Sequence, residues 1–146
     1  MRRLTLASIT CAALAGLPAS AGAPTGQYML TADTVTDTRS QLIWQRAHNP
    51  TPTTWHGALD YCENLTLAGQ SDWRLPTLKE LLTLVDERAN NPAIDTSAFP
   101  GTPSGIFWSS TPYFGFSYAF DVSFSNGDVS NAAFTNIYWV RCVRGG

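Results

Sequence analysis

The chain has 146 residues, of which 44% are hydrophobic and only 14% are charged. This balance excludes a disordered chain and a coiled coil, because both carry more charge and fewer aromatic side chains. The formal net charge of −2 argues against a nucleic-acid partner, which would require a basic surface. The aromatic content of 12%, with 11 glycines and 9 prolines, predicts one compact, loop-rich domain that contains β-strands.

Residues 1–23 have the pattern of a secretory signal peptide. Two arginines precede a short apolar run over residues 4–17, and a group of small residues follows it. Cleavage after Ala21 or after Ala23 fits this pattern equally well. The apolar run is too short for a permanent anchor, so we expect residues 24–146 to form a secreted, periplasmic or cell-surface domain without a membrane span.

A lipid anchor on Cys11 is the alternative interpretation of this segment. The triplet Ser8-Ile9-Thr10 before it lacks the leucine that lipidation normally requires, and the apolar run continues beyond the cysteine. We therefore favour a cleaved signal peptide. Its removal leaves seven basic and eleven acidic side chains, a net charge of −4.

Two cysteines, Cys62 and Cys142, remain after cleavage. In an oxidising compartment we expect them to form a disulfide. The bridge would close a loop of about 80 residues, which is worth roughly 4 kcal/mol in the chain-entropy model. A zinc site is less favoured because no histidines cluster with the cysteines, and the absence of a C-x-x-C motif disfavours redox catalysis.

The sequence of the first half of the domain predicts two short strands and a helix. The polar segment over residues 24–40 contains one short strand near residues 28–30, and residues 41–45 predict a second. A helix over about residues 55–64 follows a threonine cap. Its apolar face carries Cys62, so we expect the helix to present that cysteine to the core.

A second helix is predicted after Pro76. Thr77 and Glu80 have the spacing of a capping box, in which each side chain binds the backbone of the other residue. An apolar stripe follows at the spacing of a helix and comprises Leu78, Leu81, Leu82 and Val85.

The last third of the chain predicts a β meander. Strands are expected over residues 106–111, 118–124 and 128–134, with Asn126-Gly127 as the hairpin turn. A final strand over residues 137–144 closes the domain. Its arginines are interpreted as the solvent-facing side of that strand. The order predicts a loop-rich α+β fold in which two helices pack on one terminal antiparallel sheet, with one disulfide.

Five segments, in order along nearly all of residues 40–144, resemble the Lcl C-terminal domain family. The most specific pair is DWRLPT at residues 72–77 with FWSST at residues 107–111. The similar segments are Leu42–Gln45, Thr54–Asp86, Pro92–Pro103, Phe107–Tyr113 and Val140–Arg144.

This resemblance implies a C-type lectin-like fold and a role in extracellular binding. The family takes its name from the C-terminal domain of a bacterial collagen-like surface adhesin, which recognises sulfated glycans. The present chain lacks collagen-like repeats, and its acidic charge does not suit a polyanion. We therefore carry over the fold and the binding class, but not the sulfated ligand.

Catalysis and metal binding find little support in the sequence. The only histidines, His48 and His56, lie near no nucleophile or zinc motif, and we expect both to be exposed. Asp86, Glu87 and Asp95 form a weak calcium candidate, but their spacing matches no calcium loop. We interpret them as solvated residues after a helix. The chain is therefore expected to be non-enzymatic and to need no cofactor.

An excess of aromatic residues over residues 113–139 is the strongest functional signal. A sheet of this size cannot bury all of them, although rings in loops also fill a domain's own interior. We expect a surface that binds a glycan or a surface protein; the alternative is an assembly subunit of the bacterial envelope. The sequence leaves the oligomeric state open. The predicted ligand-binding residues are Trp108, Ser109, Tyr113, Phe114, Phe116, Asn126 and Asn136.

Overall fold

The computed structural model describes residues 22–146. Most of the predicted signal peptide, including Cys11, lies outside the described residues. Within residues 22–146, seven strands and two helices follow one another along the chain. They are β1 (Tyr28–Leu30), β2 (Thr34–Asp37), β3 (Ile43–Gln45), α1 (Trp55–Glu63), α2 (Leu78–Leu82), β4 (Ile106–Tyr113), β5 (Tyr118–Ser123), β6 (Val129–Ala133) and β7 (Val143–Arg144).

The strands form two antiparallel sheets, and the expectation of one terminal sheet is wrong. The first sheet has the order β1-β2-β3-β7, and the second has the order β4-β5-β6. Ile43 lies opposite Arg144, and Trp44 lies opposite Val143, so the end of the chain joins the N-terminal strands. The α+β class with two helices is confirmed.

β2 was not predicted, because its polar threonines and aspartate suggested an irregular entry segment. Threonine is β-branched and suits a strand, and the single apolar residue of β2 faces inward. Val35 is fully buried and lies opposite Trp44 of β3. Asp37 ends the strand and accepts hydrogen bonds from the backbone of Arg39 and the hydroxyl of Ser40.

The predicted strand over residues 137–144 is reduced to β7 because its backbone changes partners. Tyr138 forms a bridge with Thr53, and Trp139 forms a parallel bridge with Phe107 of β4. Val140 then exchanges hydrogen bonds with Asn49, at 2.9 Å through its carbonyl and 2.8 Å through its N–H. Only the last two residues pair with β3, so this segment crosses from the second sheet to the first.

The disulfide between Cys62 and Cys142 is confirmed. The two Cα atoms lie 5.5 Å apart, and both side chains are fully buried. The bridge links α1 to the residue that immediately precedes β7. It therefore joins elements that are 80 residues apart in the chain.

Both helices begin where their caps predict. The Thr54 hydroxyl accepts a hydrogen bond from the N–H of Gly57 at the start of α1. The capping box of Thr77 and Glu80 is present at the start of α2. α2 is shorter than its apolar stripe, because the next three N–H groups donate to carbonyls three residues back, as in a 3₁₀ turn.

Two apolar clusters form the core. One lies between the sheets and α2 and includes Trp44, Leu81 and Phe107. The other surrounds the disulfide and α1 and includes Trp73 and Trp108. None of the helices in residues 22–146 has both the length and the apolar character that crossing a bilayer requires.

Candidate ligand-binding surface

The turn between β4 and β5 carries a group of exposed aromatic side chains. Tyr113 ends β4 and lies directly opposite Tyr118, which begins β5, so both rings project from the same face of the sheet. Phe116 in the turn lies beside both of them, with ring centroids 6.1 Å from Tyr113 and 6.4 Å from Tyr118. Together with Phe114, these residues form what we call the aromatic surface.

Strand alternation and the position of α2 explain why these rings are exposed. Tyr118, Phe120 and Val122 share one face of β5 because side chains alternate along a strand. Val122 is fully buried in the core cluster that includes α2, Phe120 is half-buried, and Tyr118 is 41% exposed. The helix therefore covers one end of this face and leaves the aromatic end uncovered.

The aromatic surface surrounds a shallow depression of about 260 Å³. Its walls are formed by Tyr113, Phe116, Tyr118 and the exposed side chain of Asn131. Asn131 lies on β6 directly opposite Phe120 of β5. The depression thus combines ring surfaces with one amide and two phenol groups, a combination that can contact both apolar and hydroxyl-bearing parts of a ligand.

Exposure differs strongly among the rings. Phe114 is 97% exposed, Phe116 is 69% exposed and Tyr113 is 38% exposed. Tyr113 also packs edge-to-face on Phe120, with ring centroids 5.4 Å apart. Tyr113 is therefore anchored to the sheet, whereas Phe114 is almost fully solvated.

Two of the predicted ligand-binding residues lie in the interior. Trp108 is fully buried, and its indole N–H donates to the carbonyl of Thr53 at 3.0 Å. Ser109 is also fully buried, and its hydroxyl donates to the carbonyl of Phe120 at 2.7 Å. Both side chains support the sheet from which the aromatic surface projects, and neither is accessible to a ligand in this structure.

The two predicted asparagines lie at opposite ends of the second sheet. Asn126 is in the turn between β5 and β6, separated from the aromatic surface by the length of β5, and its amide binds Asp128. Asn136 follows β6 at the aromatic end, and its amide donates to the Tyr138 hydroxyl at 3.0 Å. Both are exposed, but neither lines the depression.

Tyr118 and Asn131 line the depression but were not among the predicted ligand-binding residues. The alternation of Tyr118 and Phe120 along the predicted strand indicates a shared face. The Asn-Gly turn indicates the hairpin register that places Asn131 opposite Phe120. Both signals were present in the sequence.

Two of the three acidic calcium candidates, Asp86 and Asp95, are half-buried and accept hydrogen bonds from backbone N–H groups, so the expectation that they are solvated is wrong. Asp86 accepts a hydrogen bond from the N–H of Gly22 and forms an ion pair with Arg88 at 3.0 Å. Asp95 accepts from the N–H of Ala23. Throughout residues 22–146, no three or more histidine, cysteine or acidic side chains are grouped so that they could hold a metal ion.

The two histidines occupy different environments. His56 is exposed, as expected. His48 is half-buried: its Nδ1 lies 2.6 Å from the carbonyl oxygen of Asn49, and its ring packs edge-to-face on Trp139. His48 therefore fills a structural position between loop backbone and aromatic core.

Asp121 and Arg141 are two charged residues that the fold buries almost completely. Asp121 lies on the face of β5 opposite the aromatic surface, and burial raises its pKa to about 6. Arg141 is fully buried, so its assignment to the solvent-facing side of a terminal strand is wrong. Neither residue reaches the depression.

These features define a disulfide-linked α+β domain with an exposed aromatic surface. The family described as the Lcl C-terminal domain matches residues 33–144, from just before β2 to the last residue of β7. The chain belongs to this family. No curated protein matches the chain.

Proposed function

We propose that this protein is a secreted, non-enzymatic binding module that holds a glycan on its aromatic surface. The observation that carries the proposal is the depression between Tyr113, Phe116 and Tyr118, whose rings remain exposed although each lies close to another ring. Exposed aromatic rings grouped around a concavity are typical of binding sites. Exposure of these rings to water does not stabilise the fold, so it indicates a role in binding.

The chemistry of the depression suits a neutral sugar. The C–H face of a pyranose is apolar and can pack on the rings, while its hydroxyl groups can bind the Asn131 amide and the tyrosine phenols. The four residues that line the depression carry no positive charge. This composition favours a neutral glycan over a sulfated one.

We also propose that the fold is C-type lectin-like. Its support is the pairing of β3 with the C-terminal strand β7 and the long-range disulfide from α1 to the residue before β7. Membership of the Lcl C-terminal domain family is consistent with a C-type lectin-like fold.

A glycan array probed with the purified domain tests the function. We expect binding to a limited set of neutral glycans and a loss of at least about tenfold in affinity for a Phe116→Ala, Tyr118→Ala variant, since each lost stacking contact is worth about 1 kcal/mol. A Met29→Ala, Leu30→Ala variant is the matched control, because these residues are 63% and 48% exposed on β1. Absence of glycan binding, or equal binding by both variants, refutes the proposal.

The second candidate function is assembly of an envelope structure through protein contacts. Phe114 favours it, because a ring that is 97% exposed is a suitable anchor for a pocket on another protein. Size-exclusion chromatography with light scattering distinguishes the two candidates. Self-association that Phe114→Ala abolishes would support assembly, whereas a monomer that binds glycans would support the lectin-like role.

A further inference from the structure

Ala23 and Pro24 line an acidic cavity of about 310 Å³, and Gly22 immediately precedes them in the chain. The N–H of Gly22 donates to Asp86 Oδ2 at 2.7 Å, and the N–H of Ala23 donates to Asp95 Oδ2 at 3.0 Å. The Gly22 carbonyl accepts a hydrogen bond from Arg88. Two consecutive backbone amides are therefore held by two carboxylates that come from a different part of the chain.

The cavity has a negative character. Asp86, Glu87 and Asp95 line it, and Arg88 is the basic residue among its lining groups. Tyr28 also lines it, and the pKa of Tyr28 is raised to about 12 by burial and by the charges of nearby aspartates. A cation would be more favourable than a neutral amide at the position of the Gly22 nitrogen.

A cation arises at this nitrogen if the signal peptide is removed immediately before it. The sequence allows cleavage after Ala21 or after Ala23. Cleavage after Ala23 would remove Gly22 and Ala23, and both carboxylates would lose these hydrogen bonds. Cleavage after Ala21 would retain both hydrogen bonds and would convert the one from Gly22 to Asp86 into a charge-assisted hydrogen bond.

We propose that signal peptidase hydrolyses the Ala21–Gly22 bond and that the new α-ammonium group of Gly22 forms an ion pair with Asp86. Water adds across the peptide bond: Ala21 leaves with a carboxylate, and the released Gly22 amine takes up a proton. Asp95 then holds the next amide, so the mature N terminus is docked against the domain. This processing site depends on secretion of the chain and not on what the aromatic surface binds.

The cleavage position is tested by expressing the full chain, residues 1–146, in a secreting bacterial host. Intact-mass measurement and N-terminal sequencing of the purified product should show a chain that begins at Gly22. A chain that begins at Pro24 or elsewhere, or that keeps the leader, refutes the proposal. Glycan binding is not involved in either readout, so failure here is distinct from failure of the proposed function.

The ion pair is tested by measuring the pKa of the Gly22 amine itself. Reductive methylation with ¹³C-formaldehyde makes this group visible to NMR during a pH titration. We expect a pKa above the usual value of about 8, because a carboxylate partner favours the charged amine. Asp86→Asn should return the pKa towards about 8.

The matched control is Asp33→Asn, which removes an exposed carboxylate outside the acidic cavity. It should leave the pKa of the Gly22 amine unchanged. The same amine pKa in the wild type and in Asp86→Asn would refute the ion pair.

Discussion

The guanidinium carbon of Arg141 lies 4.6 Å from the centre of the Phe99 ring, in a site from which solvent is excluded. Arg141 also donates to the carbonyls of Gln45 and Arg46, at 3.0 and 2.6 Å, and to the Thr102 hydroxyl at 2.7 Å. Burial lowers the pKa of Arg141 to about 9, so the group remains charged at neutral pH. The side chain therefore joins the C-terminal segment, β3 and the loop before β4.

Replacement of Arg141 should destabilise the domain severely. Arg141→Leu removes three hydrogen bonds and the contact of the cation with Phe99, and we expect a loss of about 2–4 kcal/mol in the free energy of unfolding. Arg141→Lys should lose part of this free energy, since an ammonium group cannot reproduce the planar, forked arrangement of donors in the guanidinium group. Urea denaturation measures both. Arg39→Leu, at an exposed arginine, is the control. An equal loss of stability in this variant would contradict the stabilising role of the buried Arg141 contacts.

The disulfide should contribute a large share of the stability. The double variant Cys62→Ala, Cys142→Ala should lose about 4 kcal/mol relative to the oxidised protein, mainly because its unfolded chain is no longer constrained. Both side chains are fully buried, so the native protein should resist mild reductants. Chemical denaturation of the two proteins measures the difference. A loss below about 1 kcal/mol would contradict the entropic account.

Features that depend on local patterns were predictable from the sequence. The helix caps, the Asn-Gly hairpin and the amphipathic face of α1 each follow from residues within one or two turns of one another. The disulfide was predictable for a different reason, because residues 24–146 contain only two cysteines. The excess of aromatic residues over residues 113–139 predicted that some rings would stay exposed, and the structure exposes Tyr113, Phe114 and Phe116.

Features that depend on distant partners were not predictable. An arginine such as Arg141 can be buried only where carbonyl groups from other segments meet it, and its neighbours along the chain do not show this. Trp108 and Ser109 were predicted to bind a ligand, yet both are fully buried because β4 begins inside the core. The division of the strands into two sheets was not predicted, because residues 137–144 form one continuous run of β-favouring residues. Nothing within this run shows that its pairing partners change along its length.

The ion pair between Arg74 and Glu80 should make α2 sensitive to acid. Glu80 accepts two hydrogen bonds from Arg74, at 2.7 and 2.8 Å, and one from the N–H of Thr77. The hydrogen bonds from Arg74, followed by smaller contributions from Thr77, hold the pKa of Glu80 below its usual value despite partial burial. A carboxyl group whose pKa is lowered in the fold stabilises the fold at pH values above the ordinary pKa of the group. This stabilisation is lost as the pH falls through the lowered pKa.

Glu80→Gln should therefore cost about 1 kcal/mol at pH 7 and much less near pH 3. Thermal unfolding of the wild type and the variant at both pH values provides the measurement. Glu63→Gln, at an exposed glutamate at the end of α1, is the matched control and should have little effect at either pH. A pH-independent difference for Glu80→Gln would show that the charge of this residue is unimportant.

Asp121 should have the opposite pH dependence, because its environment favours the neutral form. The residue is 1% exposed and lies opposite Trp108 and Ser130, and its Oδ1 has no hydrogen-bond partner among the described residues. Burial raises its pKa to about 6, above the ordinary aspartate value. The folded state therefore binds this proton more tightly than the unfolded state does, and stability falls as the pH rises from about 4 to about 6.

Asp121→Asn should stabilise the protein by about 1–2 kcal/mol at pH 7.5, because the amide has no charge to desolvate. At pH 4 the wild-type carboxyl is protonated in the fold, and the difference from the variant should nearly disappear. Urea denaturation at the two pH values measures this change, with Asp33→Asn as the exposed control. A variant that is less stable than the wild type at pH 7.5 would mean that the ionised Asp121 carboxylate is stabilised in the fold, for example by bound water, rather than destabilised by burial.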